Sequence, residues 1–425
     1  MKIWMFYSKK IIKFMFLNRF NLRVSKEEVY QEKEEINDFI SVLEGLNSSE
    51  QNLVSSSISK INAIISAKIF IDELSQHIDY VLQILNKLGR SENQKLKNLA
   101  IESLVGFFCE NLELNLNDSA TKFIYYFLAI IEKRESLLLC LSILDIVLHK
   151  NSVVKYHFLE NNGISILNQI DIYQLSNEEL VFYTSVISIL IRQDFPDKMD
   201  IEEAIQQLNI LIRILKNYQD FDQNVLTNCI NGCYFFVMNI HWVDYFIENN
   251  YHQMLLFLFP IINESKGKVL ILSTLSLCFY CNEKFVPCIN NDIQIDIFFN
   301  CLEFDSAEDR INILISIYNI FNSKHFIFFN INKIHFNILL NHLDSDIYII
   351  KIKTLEIIII LFSSVPKDYI SQFIDERFIY DIYALSQAED KTIIDLISEL
   401  LIYIENDFFK DEIDLINDNL LNSEY

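Results

Sequence analysis

Cysteines and histidines are the side chains whose spacing comes nearest to a reactive or metal-binding site. Cys278 and Cys281 form a CxxC pair, and Cys229 and Cys233 are four residues apart on a predicted helix. Thiolates at such spacings bind zinc when a second pair of ligands completes a tetrahedron. No second pair at metal spacing occurs among the other candidates, which are Cys288, Cys301, His325, His335 and His342. We therefore interpret the thiols as core residues and expect no metal and no cofactor.

Catalytic motifs are also missing from the sequence. It contains no Gly-rich phosphate loop, no HExxH and no GxSxG, and no histidine is spaced usefully from both a carboxylate and a nucleophile. An active site would have to be assembled from several distant segments. We expect a protein that is not an enzyme.

The elements that must position any functional side chain are helices of one recurring kind. Apolar residues at i, i+3, i+4 and i+7 mark one face of a helix. Such quartets begin at Phe39, Val81, Ile124, Leu208, Met254, Ile295 and Phe336. The starts are 42, 43, 84, 46, 41 and 41 residues apart, and a weaker copy around residues 166–170 lies in the double interval. A helical unit of about 40 to 47 residues is typical of armadillo and HEAT solenoids, whose repeats bury apolar surface by stacking.

A second recurring phrase supports the same interval. An apolar pair followed by Asn, Asp or Gly occurs at residues 158–163, 246–250, 288–292 and 373–376. These polar residues tolerate a left-handed backbone or cap the next helix. The phrase therefore predicts the end of one helix and the start of another, in step with the quartets.

Each quartet helix is followed by a polar turn and a further long apolar helix. Residues 305–308 are such a turn, in which Ser before Glu is an N-cap signal for the helix containing residues 311–321. By analogy with the repeat class, we assign that last helix to the inner layer. The sequence predicts an all-α, right-handed superhelix of about nine repeats at residues 31–408, between a basic leader at 1–30 and an acidic tail at 409–425.

Charge limits the classes of partner. The net charge is −23, and residues 1–24 carry six basic and no acidic residues, so residues 25–425 carry −29. This acidity keeps an extended surface soluble, and it also repels nucleic-acid phosphate and attracts basic proteins. We expect protein partners with basic extended segments and no nucleic acid.

The sequence does not predict insertion into a membrane. The most apolar stretch, residues 269–281, has 13 residues, whereas a spanning helix needs about 20. Lysines interrupt the apolar N-terminus, which fits a disordered leader or a membrane-surface helix better than a secretory signal. Eight cysteines without such a signal indicate a reducing compartment. We expect a cytoplasmic and nuclear location.

Several segments resemble the armadillo family, and within it the importin-α adaptors. Residues 40–66, ISVLEGLNSSEQNLVSSSISKINAIIS, are similar to the opening repeat of that family. Residues 270–282, LILSTLSLCFYCN, resemble its inner-helix phrase, and residues 158–167 resemble the loop that begins its next repeat. The resemblance covers residues 36–400 at the level of pattern. It implies an adaptor that binds basic localisation peptides for import of proteins into the nucleus.

The resemblance also implies positions for a peptide groove. In that family, Trp and Asn spaced W-x-x-x-N on successive inner helices bind the peptide. The aligned pairs here are Glu102 and Gly106, Leu141 and Asp145, Ile230 and Tyr234, Ser273 and Leu277, and Ile315 and Asn319. No Trp is present at these positions, and only Asn319 keeps the amide. The candidate peptide-binding residues are Glu102, Asp145, Tyr234, Ser273 and Asn319.

The basic leader resembles the segment through which importin-α binds importin-β, although the dense Arg clusters of the family are missing. Importin-β is therefore an implied partner of residues 1–24, and an unrelated leader is the alternative. Two other functions remain open for the whole chain. One is a general armadillo or HEAT scaffold for assembling protein complexes, with no transport role. The other is a regulatory subunit of an enzyme.

Overall fold

The computed structural model describes residues 39–67, 74, 76–89, 91–93, 95–96, 99–100, 103–104, 124, 128, 131, 137–150, 152–192, 201–281, 295–323, 331–387 and 390–404. Throughout these ranges the regular structure is helical, and no strand occurs. The predicted leader at 1–30 and tail at 409–425 lie outside them. The chain divides into two compact units, residues 1–163 and residues 164–425.

Unit 1 contains two packed helix pairs. Its helices are α1 (Phe39–Leu46), α2 (Gln51–Ala67), α3 (Ile78–Leu88), α4 (Leu137–Lys150) and α5 (Ser152–Glu160). Helix α1 packs on α2, and α4 packs on α5. All four residues of the first predicted quartet are buried in α1. An eight-residue helix is too short to be stable alone, so this burial against α2 is what holds it.

The remaining described helices belong to unit 2 and are 4 to 17 residues long. They are α6 (Gly163–Asn168), α7 (Asn177–Ile191), α8 (Ile201–Lys216), α9 (Gln223–Val237), α10 (Val243–Glu248), α11 (Tyr251–Leu258), α12 (Ser265–Cys281), α13 (Asp296–Cys301), α14 (Ala307–Phe321), α15 (Lys333–Leu343), α16 (Tyr348–Ser364), α17 (Lys367–Ile370), α18 (Glu376–Ser386) and α19 (Lys391–Leu401). Three short 3₁₀ turns, Ile172–Gln174, Tyr218–Asp220 and Ile240–Trp242, connect some of them.

The helices of unit 2 form two layers. In layer A, helices α7, α9, α12, α14, α16 and α19 pack side by side, each on the next. Layer B contains α8, α10, α11, α13, α15 and α18, and its helices pack on the layer-A helix that follows them in the chain. Each apolar face is therefore covered by a neighbouring repeat. Unit 2 is an all-α solenoid, as predicted.

The predicted interval is confirmed in layer A. Its helices begin at residues 177, 223, 265, 307, 348 and 391, which are 46, 42, 42, 41 and 43 residues apart. A polar turn and an N-cap precede the long helix in the predicted way, since the Ser306 hydroxyl accepts a hydrogen bond from the backbone N–H of Asp309 at the start of α14. Layer A corresponds to the helices that the sequence assigned to the inner layer.

The predicted helix-ending phrase is also confirmed. Asn162 and Asn250 have φ angles of 59° and 57°, and among the described residues they are the non-glycine positions in the left-handed region. Asn tolerates this conformation better than most residues. A third copy, at residues 373–376, contains Asp375, whose carboxylate caps α18 by accepting from the N–H of Phe378. The copy at residues 288–292 lies outside the described residues.

The predicted quartet that begins at Met254 does not match the buried face of its helix. The quartets that begin at Leu208, Ile295 and Phe336 are fully buried in unit 2. In α11, however, Phe257 is 58 % exposed, and the buried apolar residues are Tyr251, Leu255 and Leu258, followed by the buried Ile262 just after the helix. Both sets satisfy the helical period because this helix is apolar on most sides. The left-handed turn at Asn250 and the packing on α12 select the second set.

Among the described residues, no helix is long and apolar enough to cross a membrane. The longest apolar stretch of the sequence lies in α12, where most side chains from Val269 to Phe279 are buried between neighbouring helices.

Candidate protein-binding surface

The five candidate peptide-binding residues are distributed over different environments. Glu102 lies outside the described residues. Asp145 is in α4 of unit 1, where it is 8 % exposed and its Oδ1 is 3.8 Å from Nε2 of His149. The other three, Tyr234, Ser273 and Asn319, lie on α9, α12 and α14 of layer A. The structure therefore brings three of the five onto consecutive helices of one layer in unit 2.

These three side chains are only partly accessible. Ser273 is half-buried, and its Oγ is 3.3 Å from Oγ of Ser316 on the adjacent helix. Asn319 is 8 % exposed. Tyr234 keeps partial exposure, and burial raises its pKa to about 12. Each residue therefore packs largely within layer A.

Polar side chains also set the register between neighbouring layer-A helices. The Ser188 hydroxyl donates to the backbone carbonyl of Asn228 at 2.6 Å, and the Asn228 amide donates to the carbonyl of Val181 at 2.9 Å. Side-chain bonds to buried carbonyls fix one alignment of two helices, since a shifted alignment would leave the donor unpaired. In this way successive repeats present equivalent positions to solvent.

A cluster of tyrosines and carboxylates on layer A was missed by the sequence analysis. It comprises Tyr280 on α12, Tyr318 on α14, Lys353 and Glu356 on α16, and Glu399 on α19. Tyr280 is 49 % exposed and Glu399 is exposed, whereas the other three are half-buried. We call these five residues the tyrosine–carboxylate surface.

Lys353 shows what this surface can bind. Its Nζ lies 5.1 Å from the centre of the Tyr318 ring and 2.5 Å from Oε2 of Glu356. An ammonium group is attracted by the face of an aromatic ring and by a carboxylate, and both attractions strengthen when water is partly excluded. The surface therefore combines two kinds of cation-binding group across adjacent repeats.

Side chains from four helices affect the pKa of the Tyr318 hydroxyl. Burial is the main cause that raises the pKa of its hydroxyl, and the Glu356 carboxylate, the Tyr280 hydroxyl and the Glu399 carboxylate raise it further. Negative groups oppose deprotonation of a neighbouring phenol. These contributions place side chains of α12, α14, α16 and α19 within electrostatic range of one another.

The candidate metal ligands have structural partners. Nε2 of His335 is 2.6 Å from Oδ1 of Asp296, and Nε2 of His342 is 3.3 Å from the carbonyl oxygen of Leu302. His325 and Cys288 lie outside the described residues, and Cys301 is buried. In the described part of the chain, no group of three or more His, Cys, Asp or Glu side chains is placed to hold a metal ion.

The paired cysteines pack between α9 and α12. Cys229, Cys233 and Cys278 are completely buried, and Cys281 is half-buried. Burial raises the pKa of all four thiols. A thiol with a raised pKa is a poor nucleophile and a poor metal ligand at neutral pH. These residues therefore contribute apolar packing to the layer.

Comparison with known proteins shows a likeness of fold. No family model matches the chain, and no curated protein matches it. The crystal structure of an engineered protein from the Northeast Structural Genomics Consortium is similar, with a TM-score of 0.60 and 11 % identity over 91 % of this chain and 99 % of that one. This likeness concerns the fold alone.

Two other solved structures are more distantly similar. A second engineered protein of that consortium has a TM-score of 0.46 and 10 % identity over 61 % of this chain and 98 % of its own. A structure from a study of a phosphorylation switch in the interaction between cadherin and beta-catenin has a TM-score of 0.49 and 11 % identity, over 85 % of this chain and 68 % of that chain.

Proposed function

We propose that this chain is a non-enzymatic scaffold that binds extended basic segments of other proteins on the exposed side of layer A. The observation that carries the proposal is the position of Lys353 between the Tyr318 ring and the Glu356 carboxylate. A lysine of the chain itself occupies a place whose chemistry suits a lysine or arginine of a partner.

Repetition supports an extended partner over a globular one. The layer-A helices recur every 41 to 46 residues, so tyrosines and carboxylates from four helices are arranged in series. A basic peptide laid across these helices would meet one aromatic or acidic group after another. The net charge of −23 would increase its rate of encounter, and this attraction would weaken as salt is added.

The nuclear-import adaptor is the narrower form of this proposal. It rests on the resemblance of the repeats, and the tyrosine–carboxylate surface would have to replace the missing Trp and Asn pairs. Binding of importin-β to residues 1–24 would support it. The cytoplasmic and nuclear location belongs to the same proposal. A general scaffold would bind basic segments without importin-β.

The proposal is tested by fluorescence anisotropy with the full chain and a labelled lysine-rich peptide. Tyr280→Ser and Glu356→Gln should each weaken binding about five- to tenfold, since each removes one cation-binding group. Lys353→Met should strengthen binding about fivefold, because it keeps the aliphatic stem and removes the competing ammonium.

Matched controls separate local contacts from net charge. Glu376→Gln on α18 of layer B and Lys87→Met on α3 make the same charge changes at exposed positions outside layer A. Both should bind like the natural chain. Equal affinity of all the variants, or weaker binding by Lys353→Met, would refute the proposed surface.

A further inference from the structure

Exposed aromatic side chains occur on layer B of unit 2 and in the turns beside it. Phe257 of α11 is 58 % exposed, and its ring makes an edge contact with Tyr218 at 5.8 Å between centres. Tyr173, in the 3₁₀ turn before α7, is 60 % exposed. Single exposed apolar residues are common on protein surfaces, but adjacent exposed rings frequently mark contact sites.

Two cations accompany these rings. Arg213 and Lys216 are exposed in the last turn of α8, and Tyr218 follows two residues after Lys216. The Arg213 guanidinium lies 5.4 Å from the centre of the Tyr173 ring. We call Tyr173, Arg213, Lys216, Tyr218 and Phe257 the cationic aromatic patch.

Within the part of the chain that the structure describes, the two cations of the patch form no ion pairs. Among the described residues, no carboxylate lies within ion-pair distance of Arg213 or Lys216, although the chain has 58 acidic residues. Favourable interaction with the end of the α8 dipole explains cations at this position. It does not explain why the guanidinium lies over the Tyr173 ring, or why Phe257, in contact with Tyr218, is exposed.

Packing of the core does not require Phe257. On the other side of α11, Leu255 and Leu258 are fully buried and fill the contact with the next layer-A helix. The exposed ring of Phe257 therefore contributes less to the core than these two buried side chains do. Arg, Tyr and Phe are also the residue types enriched at protein interfaces and at their energetically dominant positions.

We propose that the cationic aromatic patch is a second docking surface, for a partner segment that presents acidic residues beside apolar side chains. The argument for this occupant is charge complementarity. Carboxylates of the partner would pair with Arg213 and Lys216, and an apolar side chain would cover Phe257 and Tyr218. The remainder of this acidic chain would repel the same segment, so binding is confined to the patch.

The patch differs from the tyrosine–carboxylate surface in position and in charge preference. One is on layer A and attracts cations, whereas the other is formed by α8, α11 and adjoining turns and attracts anions. A scaffold with both surfaces can hold two chemically different partners at once. The second surface does not depend on the first, and the two are tested with different peptides.

The test measures fluorescence anisotropy of the full chain with a labelled peptide in which glutamate alternates with leucine and phenylalanine. We expect binding that weakens with salt and that is lost when lysine replaces glutamate or serine replaces the apolar residues. Phe257→Ser and Arg213→Glu should each reduce affinity about tenfold or more, as for central interface residues.

Tyr380→Ser on α18, where the side chain is 69 % exposed, is the matched control and should leave affinity unchanged. Circular dichroism and urea unfolding verify that each variant is folded, and Lys216→Glu replaces Arg213→Glu if the latter is destabilised. Absence of binding, or binding that the patch variants do not alter, would overturn the proposal. Dimerisation in sedimentation that Phe257→Ser abolishes would also overturn it, because the occupant would then be a second copy of this chain.

Discussion

Two carboxylates of α18 experience opposite environments. Asp375 is partly buried, but hydrogen bonds from the N–H of Phe378 and from Lys333, whose Nζ is 3.0 Å away, outweigh the burial and lower the pKa of Asp375. Asp381 is 8 % exposed, and burial and the nearby Asp344 carboxylate raise its pKa despite the attraction of Arg377. One charge therefore stabilises the fold and the other opposes it.

These shifts predict opposite effects of two identical substitutions. At pH 7, Asp375→Asn should lower the urea midpoint, with a loss of about 0.5 kcal/mol in the free energy of unfolding, since the ion pair is exposed and Asn still caps the helix. Asp381→Asn should raise the midpoint, because it removes a poorly solvated charge.

The sign of each pKa shift determines how the free energy of unfolding depends on pH. The stability contributed by Asp375 is present above its unfolded-state pKa of about 3.8 and is lost as pH falls through its lower folded-state value. The cost of Asp381 is present at neutral pH and disappears as pH falls from its raised folded-state pKa toward 3.8. Urea midpoints measured from pH 7 to pH 3 test both, and the same sign for the two variants would contradict this account.

For single residues, the sequence could predict a structural role only where that role depends on residues nearby in the chain. The left-handed turns at Asn162 and Asn250 follow from short phrases in the sequence. The tyrosine–carboxylate surface does not, because Tyr280, Tyr318 and Glu356 are 38 residues apart in succession and belong to three helices. Their proximity depends on the side-to-side register of layer A, which no single helix encodes.

Among the helices, close approach in layer A depends on small residues. Gly232 of α9 has no side chain, and a Cβ at this position would lie 2.8 Å from Oγ of Ser188 on α7 and would clash with Leu211 on α8. Interiors packed this closely cannot accept an added methyl group without moving a neighbour. Because residue 232 is glycine, α7, α8 and α9 can approach one another closely at this point. Glycine nevertheless has a lower helix propensity than alanine.

Gly232→Ala should therefore destabilise unit 2, although alanine is the better helix former. We expect a loss of about 1 to 3 kcal/mol in the free energy of unfolding, measured by urea denaturation. Asn224→Ala, at an exposed position of the same helix, should be neutral or slightly stabilising. In a double-mutant cycle, Leu211→Ala should reduce the cost of Gly232→Ala. A stabilising effect of Gly232→Ala alone would show that the helices can separate freely.

Helix faces were predictable wherever one side of a helix is polar. The quartets of α1, α8, α13 and α15 are buried as predicted. In α11 both candidate faces are apolar, and the choice between Phe257 and Tyr251 is made by the turn at Asn250 and by contact with α12. Periodicity locates a helix, but contacts between helices decide which apolar residues remain outside.

For the molecule as a whole, stability is distributed among neighbouring repeats. Among the described residues of unit 2, contacts join each layer-A helix to the next one and to a layer-B helix. The period of the sequence predicted this solenoid. It did not predict the division at residues 163 and 164, because a division depends on how densely contacts accumulate in space.

Unit 2 should fold without unit 1, since its helices supply each other's apolar contacts. Residues 164–425 expressed alone should give a helical circular dichroism spectrum and a cooperative urea transition. They should also bind the lysine-rich peptide, because the whole tyrosine–carboxylate surface is included. A fragment that is soluble but lacks dispersed side-chain NMR signals would contradict this expectation.

The side-to-side arrangement of layer A has a consequence for how such a chain can change its length in evolution. Because each of these helices packs on its two flanking layer-A helices and on layer-B helices next to it in the chain, tandem duplication of one whole unit recreates the same junctions, whereas insertion of half a unit would exchange the layers. Genes for such proteins can thus grow or shrink in steps of about 42 codons, and each step adds or removes one binding position.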